Sequence, residues 1–433
     1  MEQIEEKSKY CLNCKTKPCQ KGCPLENDIP SFIENIKNGN YEEAYKVLSK
    51  TTVLESICGR ICPHMSQCEG SCIRGIKGLP TDIGSLEAFI GDLAIKNKYS
   101  FGDDKKTLIN KKVAIIGGGP SGLTCAAFLA RKGAEVTIYE KYNELGGILI
   151  HGIPNFRLDR NIIKSTIQKI IDIGIKVKYN MELGKDIFLQ ELKSQYDAVF
   201  LSIGANISGK MGIDGENLNG VFGGNELLEH NIHPNYEGKK VAIVGGGNVA
   251  MDCARTIKRL KAKEVYVIYR RSEEQMPAEK KEIEDAKKEG IKFLFQNNIV
   301  KICGNNEEKT VNKIECIKTK LVNKEGETRA IPVDIDGSNY DIQMDYVVMA
   351  IGSKTEDNVV QGLNVDLSSR GYIIVNEKYM TSIKGVFAGG DLIGQKATVA
   401  WAARSGRNVA NEIEGFLGRS KSGQKCPKRD RPM

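Results

Sequence analysis

Eight cysteines crowd into residues 11 to 72, in two runs whose spacing suits metal chemistry. Cys11, Cys14, Cys19 and Cys23 form CxxCxxxxCxxxCP, and Cys58, Cys62, Cys68 and Cys72 form CxxxCPxxxxCxxxC. Four thiolates hold either a tetrahedral zinc ion or an iron-sulfur cube. Zinc ribbons favour two short CxxC pairs with a longer gap between them, whereas the first run packs its four ligands together and ends in Cys23-Pro24. That compact pattern is ferredoxin-like, and in two-cluster ferredoxins the fourth cysteine serves the other cluster. The spacing therefore predicts iron-sulfur centres over structural zinc, and with them one-electron chemistry.

Two glycine turns carry a second kind of chemistry. In GGGPSG, Gly117, Gly119 and Gly122 stand at GxGxxG spacing between an apolar strand, Val113 to Ile116, and a helix, Leu123 to Arg131. The first glycine permits a tight turn, the second lets backbone approach a pyrophosphate, and the third lets helix pack on strand. The helix start then offers unpaired N-H groups and a positive dipole to phosphate. The next strand, Glu135 to Tyr139, ends at Glu140, whose carboxylate can accept from ribose hydroxyls. The second turn, GGGNVA, places Gly245, Gly247 and Ala250 in the same slots, and its following strand, Val265 to Tyr269, ends at Arg270 and Arg271. Guanidinium groups suit a ribose 2′-phosphate where a carboxylate repels it. Glu273 and Glu274 nearby are the candidates to neutralise the pair. Two turns with different endings imply two dinucleotides, FAD on the acid-ended one and NADPH on the arginine-ended one, which is what hydride transfer from nicotinamide to flavin requires. The nucleotide segments carry only isolated Cys125, Cys253, Cys303 and Cys316, which argues against a disulfide reductase.

The elements that position these residues change character along the chain. Residues before about 110 lack strand-like alternation and show helical stretches, such as Asn40 to Ser49, where Asn40 and Glu43 stand at capping-box spacing. From Lys111 onward strands alternate with helices, as parallel sheets with crossover helices require. An internal repeat organises that part. VAIIGGGPSGLTCA at 113 to 126 is echoed by VAIVGGGNVAMDCA at 241 to 254, and YDAVFLSIGA at 196 to 205 by DYVVMAIGS at 345 to 353. No third glycine turn follows, so GVFAGGDLIGQKATVAWAARSGRNVA at 385 to 410 reads as a return to the first nucleotide domain. The expected fold is α/β: two Rossmann-like nucleotide-binding domains, one inserted in the other, after an α-helical iron-sulfur domain. The expected boundaries are 1–110 for the helical domain, 111–230 and 346–418 for the two parts of the FAD domain, 231–345 for the NADPH domain, and 419–433 for a disordered basic tail.

The formal charge of +8 is a mild excess in 433 residues and gives no argument for nucleic acid. Met1 to Tyr10 is charged and has no apolar run, so no signal peptide is expected. The long uncharged segment Val113 to Ala130 is interrupted by Gly117, Gly118, Gly119, Pro120 and Gly122 and reads as strand, turn and helix, not as a membrane span. Clustered thiols without export signals point to a reducing, cytoplasmic setting.

The combination resembles the glutamate synthase small-subunit family, which includes the flavin subunit of NADH-dependent ferredoxin:NADP oxidoreductase and the NADPH-oxidising part of dihydropyrimidine dehydrogenase. The resemblance rests on the run Cys11 to Pro24, CGRICP at 58 to 63 with CEGSC at 68 to 72, TDIGSLEAF at 81 to 89, GIPNFRL at 152 to 158, YRR at 269 to 271 and FAGGD at 387 to 391, in unbroken order. It implies two [4Fe-4S] clusters with crossed ligands. One would use Cys11, Cys14, Cys19 and Cys72, and the other Cys23, Cys62 and Cys68 with Glu87 as a non-cysteine fourth ligand. Cys58 is then left over, although sequence order alone makes it a ligand. The resemblance also implies FAD on Gly119, Pro120, Ser121, Glu140, Lys141, Gly147, Arg157, Gly390, Asp391 and Thr398, and NADPH on Gly247, Asn248, Val249, Arg270, Arg271 and Gly352.

The mechanism expected from these parts is hydride delivery from NADPH to FAD and one-electron transfer through the clusters to a protein docking at the amino-terminal domain. No side chain is needed as acid or base on the nicotinamide. The chain closes soon after its last expected helix, so the acceptor chemistry is expected on another polypeptide. A glutamate synthase large subunit, a dihydropyrimidine-reducing subunit and a ferredoxin-linked subunit all fit that role. The rival from another class is a redox-sensing nucleotide-binding protein with structural zinc.

Overall fold

A computed structural model describes residues 2–102, 104–305, 309–324 and 329–419. The basic tail expected from residue 419 lies almost wholly outside that range. The amino-terminal part is helical: α1 (Pro18–Gly22), α2 (Ile29–Lys37), α3 (Tyr41–Leu48), α4 (Glu55–Ile61) and α5 (Ile83–Lys96). Pro sits in the first turn of α1 and α2, where its missing N-H costs nothing. Asp82 caps α5 by accepting from the Ser85 N-H at 3.2 Å. The capping box expected at Asn40 is not formed, because the Asn40 side chain makes no cap hydrogen bond. What anchors α3 instead is the burial of Ala44, Tyr45 and Leu48.

The chain then enters a parallel sheet through β1 (Lys112–Ile116), α6 (Pro120–Arg131), β2 (Glu135–Tyr139), α7 (Arg160–Ile171), β3 (Lys176–Lys178) and β4 (Ala198–Leu201). It leaves to build a second parallel sheet from β5 (Val221–Gly223), β6 (Lys240–Val244), α8 (Asn248–Arg259), β7 (Glu264–Tyr269) and β8 (Lys292–Phe295). An antiparallel sheet follows: β9 (Asn297–Gly304), β10 (Val311–Val322), β11 (Ile331–Asp334) and β12 (Tyr340–Gln343). The strand β13 (Tyr346–Met349) then completes the second sheet, and β14 (Val386–Ala388) and the long α9 (Val399–Arg419) return to the first. The orders are β14-β4-β1-β2-β3 and β5-β13-β6-β7-β8, so each glycine-turn strand sits at the centre of an equivalent parallel sheet. The central strands are apolar because both faces are covered: Val113, Ala114 and Ile115 are buried in one sheet and Val241, Ala242 and Ile243 in the other, where Ala242 and Val244 pack against Ile299, Ile302 and Ile314 of the antiparallel sheet.

Two compact units result, one of residues 1–150, 155–204 and 357–433, the other of 151–154 and 205–356. This division differs from the expected boundaries at 230/231 and 345/346. Strands β5 and β13 pair in the second sheet, in register with Val347↔Val221 and Val347↔Ala242. The helical segment is not a separate unit either. Buried Arg131 of α6 donates to the carbonyls of Ser49 at 2.6 Å and Phe101 at 3.1 Å. Arg407 of α9 donates to those of Leu25 at 2.6 Å and Thr51 at 3.0 Å. These guanidinium groups satisfy loop carbonyls that burial would otherwise leave unpaired. Helix α9 packs tightly on α6 because residue 406 is glycine: a Cβ there would lie 2.1 Å from the Ser121 carbonyl oxygen. Among the described residues no helix is long and apolar enough to cross a membrane.

Candidate functional site: two glycine turns and two groups of thiols

The first turn is bare backbone for steric reasons. Gly117 has φ 98°, and a Cβ on it would lie 2.6 Å from the Ser202 carbonyl oxygen. One on Gly122 would lie 2.0 Å from that of Gly117, so the third glycine lets α6 meet β1. Gly119 is the residue before α6, and Gly147, at φ 51°, approaches it so closely that a Cβ on Gly147 would stand 2.9 Å from the Gly119 Cα. Glu140 ties the end of β2 to this turn, accepting from Gly118 N-H at 2.7 Å and Tyr142 N-H at 3.0 Å. Burial raises its carboxyl above the usual range, and those two amides pull it back. From the far end of the chain, Gly390 brings its backbone to Ser121, at 3.2 Å from the Ser121 Cβ for a Cβ built on it. The Ser121 Oγ and Asp391 Oδ1 are buried with no hydrogen-bond partner among the described residues. Burial pushes Asp391 up to about 6. Unpaired polar atoms beside a side-chain-free cradle suit a polar ligand bound along backbone, and a dinucleotide pyrophosphate and its sugars meet that description. Lys141 stands at the turn edge with its ammonium 4.7 Å from the Tyr142 ring centre. Arg157 is half-buried just before α7, and Thr398 precedes α9, where its Oγ1 accepts from Trp401 N-H.

The second turn follows the same logic in the other unit. Gly245 has φ 136° and would place a Cβ 2.1 Å from the Ala350 carbonyl oxygen, while Gly247 has open space before α8. Ala250 is buried in the third slot, Val249 is half-buried beside it, and Asn248 Oδ1 accepts from Glu279 N-H at 3.0 Å. Gly352, at φ 120°, also faces open space. Arg270 is exposed at the end of β7, and Arg271 donates to the Ala330 carbonyl. The nearby acids are occupied elsewhere: Glu273 pairs with Lys287 at 2.5 Å, and Ser272 holds the Glu274 carboxylate low. A third guanidinium joins this strand end, since Arg329 donates to Tyr269 Oη and to the Gln275 carbonyl. Arg329 lies about sixty residues downstream, beyond any local motif that sequence reading uses.

The thiols sort across the two runs. Cys11, Cys14 and Cys19 line one pocket together with Cys72, Leu12 and Ile73. Cys23 lies elsewhere, in a buried group with Cys58, Cys62, Cys68 and Glu87. The Glu87 charge bears on all four of those thiols, and burial pushes Cys23 up to about 12. Burial likewise pushes Glu87 up to about 8, although Asn27 Nδ2 donates to its Oε1 at 3.1 Å. Thr51 orients that asparagine by donating to Asn27 Oδ1 at 2.6 Å. All the described cysteines are free, and the four that line one pocket are of the soft donor type an iron-sulfur cube takes, while among the described residues no three His, Cys, Asp or Glu side chains are already drawn together as a metal-holding group. Cys125 and Cys253 are buried inside α6 and α8, and Cys303 and Cys316 lie on β9 and β10. Sequence reading missed the arginine clasp behind Cys23: Arg404 donates to Pro24 O at 2.9 Å and pairs with Glu26, one turn before Arg407.

Residues 111–406 match the family model described as pyridine nucleotide-disulphide oxidoreductase. Residues 1–99 match dihydropyrimidine dehydrogenase domain II, 4Fe-4S cluster. The small chain of glutamate synthase [NADPH] from Escherichia coli is 33% identical, over 96% of this chain and 92% of that one. The chain belongs to the glutamate synthase small-subunit family of pyridine nucleotide-disulphide oxidoreductases. Other members of this family extend further. The NADP(+)-dependent formate dehydrogenase subunit beta of Moorella thermoacetica is 37% identical, over 93% of this chain but 60% of its own length. The NADPH-Fe(3+) oxidoreductase subunit beta of Geobacter sulfurreducens is 34% identical over 94% and 64%. The present chain therefore spans about three-fifths of those beta subunits. In fold, FprA of Mycobacterium tuberculosis in complex with NADPH superposes with a TM-score of 0.65 at 19% identity, over 74% of this chain and 87% of that one. The glutamate synthase small-subunit family thus accounts for both parts: an oxidoreductase unit preceded by a 4Fe-4S domain.

Proposed function

We propose that this chain is an NADPH-dependent FAD and iron-sulfur oxidoreductase that passes electrons from NADPH through FAD and two [4Fe-4S] clusters to a partner subunit. The observation that carries the reading is the sorting of the thiols, with Cys72 beside Cys11, Cys14 and Cys19 while Cys23 joins Cys62, Cys68 and Glu87. One group of four thiols and one of four thiols with Glu87, crossed between the runs, support two cubes over a pair of separate mononuclear sites. Cys58 and Glu87 both lie in the second group, and Glu87 is taken as the fourth donor because the family resemblance assigns the ligand position to it. The helical segment up to residue 110 is then the cluster-bearing domain, the first glycine-turn unit holds FAD and the second holds NADPH.

Bound there, FAD supplies the conversion between a two-electron hydride donor and one-electron carriers. The chain's own residues bind and orient. The amides of Gly119 and Ser121, either side of Pro120 at the start of α6, would bind phosphate, and Gly117 and Gly147 would leave room for it. Glu140 would accept from ribose hydroxyls, Gly390, Asp391 and Thr398 would hold the far part of the same cofactor, and Lys141 and Arg157 would counter its phosphate charge. In the other unit Gly247, Asn248 and Val249 open α8 to the second pyrophosphate, Gly352 leaves room, and Arg270 and Arg271 take the 2′-phosphate. No side chain acts as acid or base. The free thiols suit a reducing compartment, and we assign the chain to the cytoplasm.

Anaerobically purified protein is expected to contain one FAD and about eight iron atoms per chain, as two four-iron clusters require. Zinc in place of iron, with no visible charge-transfer absorption, would favour the redox-sensing alternative and sink this reading.

A further inference from the structure

Exposed apolar side chains gather around the pocket of the first thiol group. Leu12 is 52% exposed, Ile76 77% and Leu79 79%, with Tyr10 and Ile73 also open to solvent. Contacts join several of them. The Arg74 guanidinium lies 4.2 Å from the Tyr10 ring centre and donates to the Tyr10 carbonyl at 2.9 Å, and the Tyr10 hydroxyl donates to the Leu79 carbonyl at 3.1 Å. Leu12 and Ile73 line the same pocket as Cys11, Cys14, Cys19 and Cys72. An apolar patch with polar borders marks an interaction site.

The borders carry an excess of positive charge, since the acids that reach them, Asp28, Asp82 and Glu34, are each paired with a lysine. Lys7 to Leu25 contains five lysines and no acid, and Ile73 to Pro80 contains Arg74 and Lys77 and no acid. Asp82 engages Lys7 at 2.6 Å and Asp28 engages Lys17 at 2.7 Å. Lys9, Lys15 and Lys77 are exposed and form no ion pair among the described residues.

We propose that this face is the docking surface for an acidic electron-carrier protein, whose own redox centre is brought against the Cys11, Cys14, Cys19, Cys72 pocket. The proposal rests on the electron-transfer reading above and adds the place and the charge of the partner. Its physical basis is complementary potential: a basic rim steers an acidic partner and sets its orientation, and the apolar centre supplies the close contact. A second copy of this chain would bring the same positive rim to meet its like. Two carriers are reduced per NADPH, since NADPH gives up two electrons and one proton; no atom passes to the carrier.

The test uses full-length protein, purified anaerobically, over an immobilised plant-type [2Fe-2S] ferredoxin, an acidic carrier, and over cytochrome c, a basic one. Binding to ferredoxin is expected to weaken about tenfold from low salt to roughly 0.3 M salt. Lys15→Glu with Lys77→Glu should weaken ferredoxin binding about tenfold or more and strengthen cytochrome c binding, by the same charge argument. Ile76→Ser with Leu79→Ser should weaken binding without changing its salt dependence. In both variants NADPH should still bleach the flavin at the wild-type rate. Unchanged ferredoxin binding in both variants overturns the proposal. So does an occupant of another kind: self-association in sedimentation that Ile76→Ser with Leu79→Ser abolishes, or binding to anionic phosphatidylglycerol vesicles with none to ferredoxin. Wild-type protein that binds ferredoxin but leaves NADPH unoxidised would overturn the electron-transfer reading and leave the surface standing.

Discussion

Replacing Glu87 by Ala is expected to change the paramagnetic signal or potential of one cluster while NADPH still reduces the flavin, and Cys58→Ser is expected to leave both clusters intact. An oxygen donor alters charge and donor strength at a single iron, so the effect stays local. Loss of a cluster in Cys58→Ser with both kept in Glu87→Ala would restore the grouping by cysteine order. At the other end of the site, Arg270→Ala with Arg271→Ala should raise the KM for NADPH at least about tenfold more than that for NADH, since only NADPH loses a phosphate contact. Equal losses with both coenzymes would make the pair structural. Arg329→Ala should act in the same direction and less strongly, its guanidinium being held by Tyr269 and Gln275. A buried acid gives a pH test. Burial pushes Glu55 up to about 7, and its Oε1 has no hydrogen-bond partner among the described residues. A carboxyl raised above its unfolded value of about 4.3 favours the fold at low pH and gives up that advantage as the pH climbs through the folded value. Glu55→Gln should therefore match the wild type in unfolding midpoint near pH 4 and exceed it at pH 8. The geometry around Gly117 and Glu140, a tight turn after one strand and a carboxylate at the end of the next, was legible from spacing alone, because one turn of chain decides it. Asn27, Thr51 and Arg407 were not, since their partners come from distant segments.

Strands and helices were legible to the extent that their apolar pattern differs from that of their neighbours. The repeated openings at 113 and 241 became equivalent central strands because both faces of each sheet are covered, which requires near-continuous apolar runs. The same uniformity hid the boundary: Tyr346–Met349 reads like any buried parallel strand, and its pairing with β5 and β6 assigns it to the second sheet. The antiparallel sheet from Asn297 to Gln343 went unread because its strands bury one side only, and its third strand, Ile331–Asp334, is half-buried or exposed throughout. Helix α9 offers the prediction at this scale. Arg407 reaches from it to the Leu25 and Thr51 carbonyls, just behind Cys23. Arg407→Ala leaves two buried acceptors unpaired, at a cost of about 1–3 kcal/mol. Iron bound through Cys23, Cys62 and Cys68 should then be lost to a chelator several-fold faster than that bound through Cys11 and Cys72. Equal loss rates, followed by the decay of the two paramagnetic signals, would show that the clasp does not support that group.

Across the whole chain, an α/β fold with two nucleotide-binding sheets and a helical amino-terminal segment was legible because repeats, glycine turns and clustered thiols each have a local signature. That the helical segment and the first nucleotide sheet share one compact unit was not, because Arg131 and Arg407 look from sequence like any other helix arginine. The crossing of thiols between the two runs carries one more consequence. Cys11 and Cys72 line one pocket from positions about sixty residues apart, so metal held there closes a loop of that length, as a disulfide would, and restricts the unfolded chain by about 4 kcal/mol. Ile29 and Ile33 of α2 form part of the same lining, so the pocket exists only after the helices have packed. Maturation therefore has an order: the polypeptide must collapse around α2 before it can be loaded, and the loaded inorganic core then becomes a clamp against proteases. Chains made under iron starvation should be nicked between residues 11 and 81 while their flavin-bearing remainder survives digestion intact.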